Sequence, residues 1–113
     1  DEAVAAVADL IATQEACPKD PERSDGYETQ RTVRKVQAGG EAWVILERDI
    51  MNGDASPFGS STMVIRTGSS VLVIRHEGHG GYPDGNGQGQ VDAMLKQTSE
   101  PIAAMCTFTK AGC

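Results

Sequence analysis

The chain has 113 residues, 39% of them hydrophobic and 23% charged, and a formal net charge of -6. That length supports one core rather than two, and no apolar run approaches the roughly 18 residues of a membrane-spanning helix. With Lys and Arg scattered and the balance acidic, the summed field disfavours a phosphate backbone, so one domain over residues 1–113 is expected, with no nucleic-acid partner and no membrane insertion.

Residues 2–16 place Val4, Val7, Ala8 and Ile11 on one helical face in an alanine-rich stretch, the pattern of an amphipathic helix. It must stop near Cys17, because Pro18 pushes the residue before it out of helical geometry. Residues 18–27 are polar and read as loop. Glu28 to Gln37 suits a solvated edge strand, with Arg31, Arg34 and Lys35 as exposed charges and Arg34 facing opposite to the other two. After the turn at Gly39 and Gly40, Ala42 to Ile50 is a dense apolar run that predicts a central strand. Residues 52–59, with Asn52, Gly53, Pro57 and Gly59, read as a loop too long for a tight hairpin.

The clearest local signal spans Ser61 to His76. Two hydrophobic runs flank Thr67-Gly68-Ser69-Ser70, and Gly68 occupies the position where a two-residue type II′ turn needs positive φ. That turn sets Ile65 opposite Leu72 and Met63 opposite Ile74 on a core face, and Val64 opposite Val73 on the other. Residues 77–89 are glycine-rich and read as one loop. Val91, Met94, Leu95, Thr98, Ile102 and Met105 then share a helical face, with Pro101 either inside one helix or opening a second. The fold expected is α+β, a four-stranded antiparallel sheet in the order α-β-β-β-β-α, with the N- and C-terminal helices packed on one face.

Three groups of residues invite chemistry. If Val44 and Leu46 face the helices, Trp43 joins Val64, Arg66, Val73 and Arg75 on an uncovered sheet face, large enough for a protein or small-molecule ligand. His76 and His79, with the Glu77 carboxylate between them, offer imidazoles to zinc or nickel, and a further ligand could come only from Asp84 or Asp92 if the loop folds back. The glycine-rich loop 77–89 could be presented to a target, as in a small secreted inhibitor or immunity-type protein. No nucleotide, phosphate or serine-hydrolase motif is present, so no cofactor and no catalytic residue is assigned. The three cysteines, Cys17, Cys106 and Cys113, lie too far apart for a zinc knuckle. A disulfide between Cys17 and Cys106 would tie the two helices and place the protein outside the cytoplasm, with Cys113 a competitor for Cys106.

The run Ala42-Trp43-Val44-Ile45-Leu46-Glu47-Arg48, followed by Val64-Ile65-Arg66-Thr67-Gly68-Ser69-Ser70-Val71-Leu72-Val73-Ile74, resembles the PknH-type extracytoplasmic sensor domains of actinobacterial envelope and secreted proteins. The resemblance covers residues 41–76. It implies a non-enzymatic role in sensing or binding at the cell envelope, and the reading carried forward is a non-catalytic, secreted or envelope-exposed binding domain.

Overall fold

Asp1 accepts a hydrogen bond from the Ala3 amide at 2.9 Å and so caps the first helix, α1 (Glu2–Ala16). In the computed structural model of the chain, residues 1–20, 25–79 and 86–109 are described, residues 78 and 79 by backbone alone. Four strands follow α1: β1 (Tyr27–Val36), β2 (Glu41–Met51), β3 (Asp54–Thr67) and β4 (Ser70–His79). They form one antiparallel sheet in the order β1-β2-β3-β4. The second helix, α2 (Gln88–Met105), runs through Pro101 without a break and ends in a short 3₁₀ turn at Cys106–Phe108. None of the described helices is long and apolar enough to cross a membrane.

Turn geometry sets the register. Gly68 has φ of 60° and Ser69 does not share its positive φ, which is the type II′ pattern, and Ile65 faces Leu72, Met63 faces Ile74 and Val64 faces Val73 as expected. The β2–β3 connection differs from expectation. Asn52 and Gly53 have φ of 51° and 85°, the paired left-handed residues of a type I′ turn, and β3 starts directly after them at Asp54. The serines, Pro57 and Gly59 that suggested a loop sit in an irregular part of β3. Two steps on β2, from Ile50 to Arg48, span four on β3, from Ala55 to Gly59, so Pro57 lies where no ladder bond to β2 is lost. The Phe58 amide donates instead to Ser56 Oγ at 3.1 Å.

Alternation along the strands divides the core in two. Ala42, Val44, Leu46, Met63 and Ile65 pack with Val91 and Met94 of α2, while Ile45 and Val64 pack with Val7 and Ile11 of α1. The class and element order are those expected, but the helices do not share a face: α1 covers one side of the sheet and α2 the other. The reason lies in β2 and β3, where Val44, Ile45 and Leu46, and Met63, Val64 and Ile65, are consecutive buried residues. Consecutive apolar residues on a strand point to both faces, and each face then needs a cover.

Two further expectations change with the elements. The glycine-rich segment is shorter than residues 77–89, because β4 continues to His79 and α2 starts at Gln88; residues 80–85 lie outside the described residues. Cys17 carries a free, exposed thiol, so the Cys17–Cys106 disulfide is not formed. Opposite placement of the helices accounts for this, since the sheet separates the two helix ends. Cys113 lies outside the described residues.

Candidate binding cleft

The sheet face under α1 divides along its length into a covered half and an open half. In the covered half Val64 is 0% exposed, buried beneath Val7 and Ile11. It belongs to the core, and the face expected to be bare is bare only in part. Trp43, at the far end, donates from Nε1 to Glu41 at 3.1 Å, and Lys35 Nζ stands 5.4 Å from its ring centroid. Arg66 holds the other oxygen of Glu41 at 3.2 Å. Hydrogen bonds from Trp43 and Arg66 keep the Glu41 carboxyl below the usual carboxylate range.

The open half begins where α1 stops covering the strands. A cleft of about 280 Å³ is lined there by Tyr27, Glu47, Asp49, Phe58, Ser60, Arg75 and Glu77, with Gly59 in its floor. The register explains why these residues meet. Glu47 faces Ser60 across β2–β3, and Ser60 faces Glu77 across β3–β4, so one row across the sheet carries two carboxylates with a buried hydroxyl between them. Arg75, one row away, binds Glu77 at 3.3 Å and Glu47 at 3.7 Å and reaches the Thr62 hydroxyl at 3.3 Å. Asp49 accepts from the Thr29 hydroxyl at 3.4 Å.

Behind this row Arg31 fastens the wall. Its side chain is only 11% exposed and lies 3.4 Å from both Glu47 and Asp20, while its Nη1 also donates to the Cys17 carbonyl. Burial works against the charged guanidinium, but Glu47 and Asp20 outweigh it and hold Arg31 more firmly protonated than usual. The solvated edge expected for Arg31 is therefore an internal clasp between β1, β2 and the chain leaving α1. Arg34 does face the other way, where it donates to Gln88 Oε1 at 3.1 Å and the Asn86 carbonyl at 2.6 Å at the start of α2.

Of the five residues expected to form a binding face, only Arg75 lines the cleft. Trp43 and Arg66 belong to the far end, Val64 is core, and Val73 is exposed on β4. Two residues of the suggested metal cluster are held apart. His76 and Glu77 are neighbours on a strand and take opposite faces: His76 turns toward α2, 3.5 Å from Gln90 Nε2, and Glu77 toward the cleft. The side chain of His79 lies outside the described residues, and no group of three metal-ligating side chains occurs among the described ones. Comparison of the chain with protein-family models, curated proteins and solved structures finds no match.

Tyr27, Glu47, Asp49, Phe58 and Ser60 carry no motif, and sequence reasoning missed them as a group. The usable signal was the Asn52-Gly53 pair. Read as a tight turn, it places the odd residues of β2 and the even residues of β3 on one face, and the irregularity at 55–59 inserts two residues, which leaves that alternation intact.

Proposed function

We propose that the chain is a non-catalytic binding domain, of the extracytoplasmic sensor kind, that takes a ligand bearing a basic group in the cleft of Tyr27, Glu47, Asp49, Phe58, Arg75 and Glu77. The observation that carries this reading is the charge and shape of the lining. Three carboxylates face one guanidinium, and among the described residues no cation lies within ion-pair distance of Asp49. Tyr27 and Phe58 bring aromatic side chains to the lining, and Phe58 is 48% exposed, so an ammonium or guanidinium group on an apolar stem would find charge, hydrogen bonds and apolar surface together. These groups are suited to holding a ligand: Arg75 and its carboxylates neutralise one another, and His76 turns to the far side of the sheet, toward α2. A location outside the cytoplasm is part of the proposal and rests on the envelope-domain resemblance of residues 41–76.

Titration of labelled protein with arginine- and lysine-containing peptides, followed by NMR, tests the reading. Shifts confined to Tyr27, Asp49, Phe58, Ser60 and Glu77 and abolished by Asp49→Asn are expected. Shifts in none of these residues with any basic peptide would overturn it.

A further inference from the structure

The two edges of the sheet are treated differently by the chain. On the β1 side the segment leaving α1 pairs with the strand: the Asp20 amide donates to the Thr29 carbonyl at 3.0 Å and the Arg31 amide to the Pro18 carbonyl at 2.6 Å, with a bridge between Lys19 and Gln30. On the β4 side no segment among the described residues pairs with the strand. The direction of its backbone groups follows from β3. The Arg66 carbonyl turns toward β2, where it accepts the Gly40 amide at 3.0 Å. Since backbone groups alternate between the two edges of a strand, Ile65 and Thr67 direct theirs to Leu72 and Ser70 of β4. The amides and carbonyls of Val71, Val73, Arg75 and Glu77 then point away from the sheet, a row of donors and acceptors that no strand among the described residues meets. The same edge carries Val71, 42% exposed, and Val73, 55% exposed. Neither proline nor lysine interrupts β4, so it lacks two of the usual defences against strand addition.

We propose that β4 pairs with β4 of a second copy, antiparallel, about a two-fold axis at Val73. The pattern of β4 selects both the occupant and the register. Bonding requires odd residues to face odd residues. An axis at Arg75 would oppose that guanidinium to itself, one at Ile74 would set the two guanidinium groups diagonally adjacent, and one at His76 would carry Val71 past the end of the partner strand. The axis at Val73 avoids all three, and it also keeps Arg75 opposite a strand residue, whereas one at Leu72 would set Arg75 opposite Ser69 in the turn. It sets Val73 against the partner's Val73 and Val71 against the aliphatic stem of the partner's Arg75, gathering the exposed valines of both copies at the centre. A strand read backwards against itself thus finds its complement, as a self-complementary two-fold interface demands. Because the axis stands perpendicular to the sheet, the result is one sheet of eight strands with both α1 helices on one face and both α2 helices on the other.

Sedimentation velocity across a wide concentration range tests this, with Val73→Lys and Val73→Glu as variants and far-UV circular dichroism as the folding check. Expected are a mass that doubles with concentration for the unaltered chain, monomers for each variant, and a restored doubled mass in an equimolar mixture of the two, where unlike charges meet at the axis. An unaltered chain that is monomeric at every concentration would overturn the proposal and leave the edge to a strand of another protein. Variants that dimerise like the parent, or a mixture that stays monomeric, would overturn it equally.

Discussion

Arg75 on β4 reaches over β3 to Glu47 on β2, 3.7 Å away, while its Nε holds Glu77 at 3.3 Å. The guanidinium is half-exposed, so its ion pairs are screened by solvent and contribute less than about 1 kcal/mol to stability. Its larger effect is on the charge of the cleft. Arg75→Gln is expected to leave the urea midpoint nearly unchanged and to tighten binding of a basic peptide, because Glu77 loses its counter-charge and Glu47 keeps only Arg31. Weaker binding in a titration of the folded variant would contradict this.

Arg31 makes the opposite case. It is nearly buried and joins Glu47, Asp20 and the Cys17 carbonyl, so its removal takes a donor from that carbonyl and leaves the largely buried Glu47 with Arg75 alone. Arg31→Ala is expected to cost about 2–4 kcal/mol in equilibrium denaturation, well above the Arg75 variant. Similar losses for the two would show that burial does not separate them.

Gly53 and Gly87 have nearly the same positive φ, 85° and 79°, but different surroundings. A Cβ at Gly53 would meet nothing within 4 Å, whereas one at Gly87 would lie 2.6 Å from Leu46 Cδ1. Both alanine substitutions pay backbone strain of about 1 kcal/mol, and only Gly87→Ala also displaces a core leucine. Its melting temperature should fall further than that of Gly53→Ala, and equal falls would contradict the close approach.

The link between Glu41 and Trp43 makes stability depend on acid. The folded carboxyl titrates below its ordinary range because Trp43 and Arg66 bond to it, so its stabilising contribution is complete above the ordinary carboxylate pKa and is lost as pH falls through the depressed value. Glu41→Gln should therefore melt lower than the parent at neutral pH, with the gap closing in acid. Emission from Trp43, the one tryptophan in the chain, should change over the same low pH interval, and a change centred in the ordinary glutamate range would refute the assignment.

With the Cys17 thiol free and exposed, an intrachain disulfide is expected between Cys106 and Cys113. Alkylation of the folded, unreduced protein followed by peptide mapping should find label on Cys17 alone. Recovery of Cys17 linked to either of the other two would reverse the pairing.

Much of the sheet was legible because strands and tight turns are local. Gly68 between two hydrophobic runs set the β3–β4 register residue by residue, and the helical period from Val4 to Ile11 and from Val91 to Met105 marked both helices. Asn52-Gly53 carried an equally local signal that Pro57 and the nearby serines obscured, since composition does not distinguish a loop from an irregular strand. The cleft was illegible for a different reason. Tyr27, Glu47, Phe58, Arg75 and Glu77 come from all four strands, and each taken singly looks like an ordinary polar or exposed residue.

What the sequence by itself determined is the set of elements, their order, and which side chains within the Gly68 hairpin share a face, because these follow from alternation and turn chemistry over a few neighbouring residues. Only the tertiary structure decided that α1 and α2 lie on opposite sides, that Arg31 is a clasp, that His76 and Glu77 are parted and that an acidic cleft opens beside α1. Each of those depends on how far a helix extends over a sheet and on registers accumulated over three strand pairings, quantities that no short stretch of chain contains.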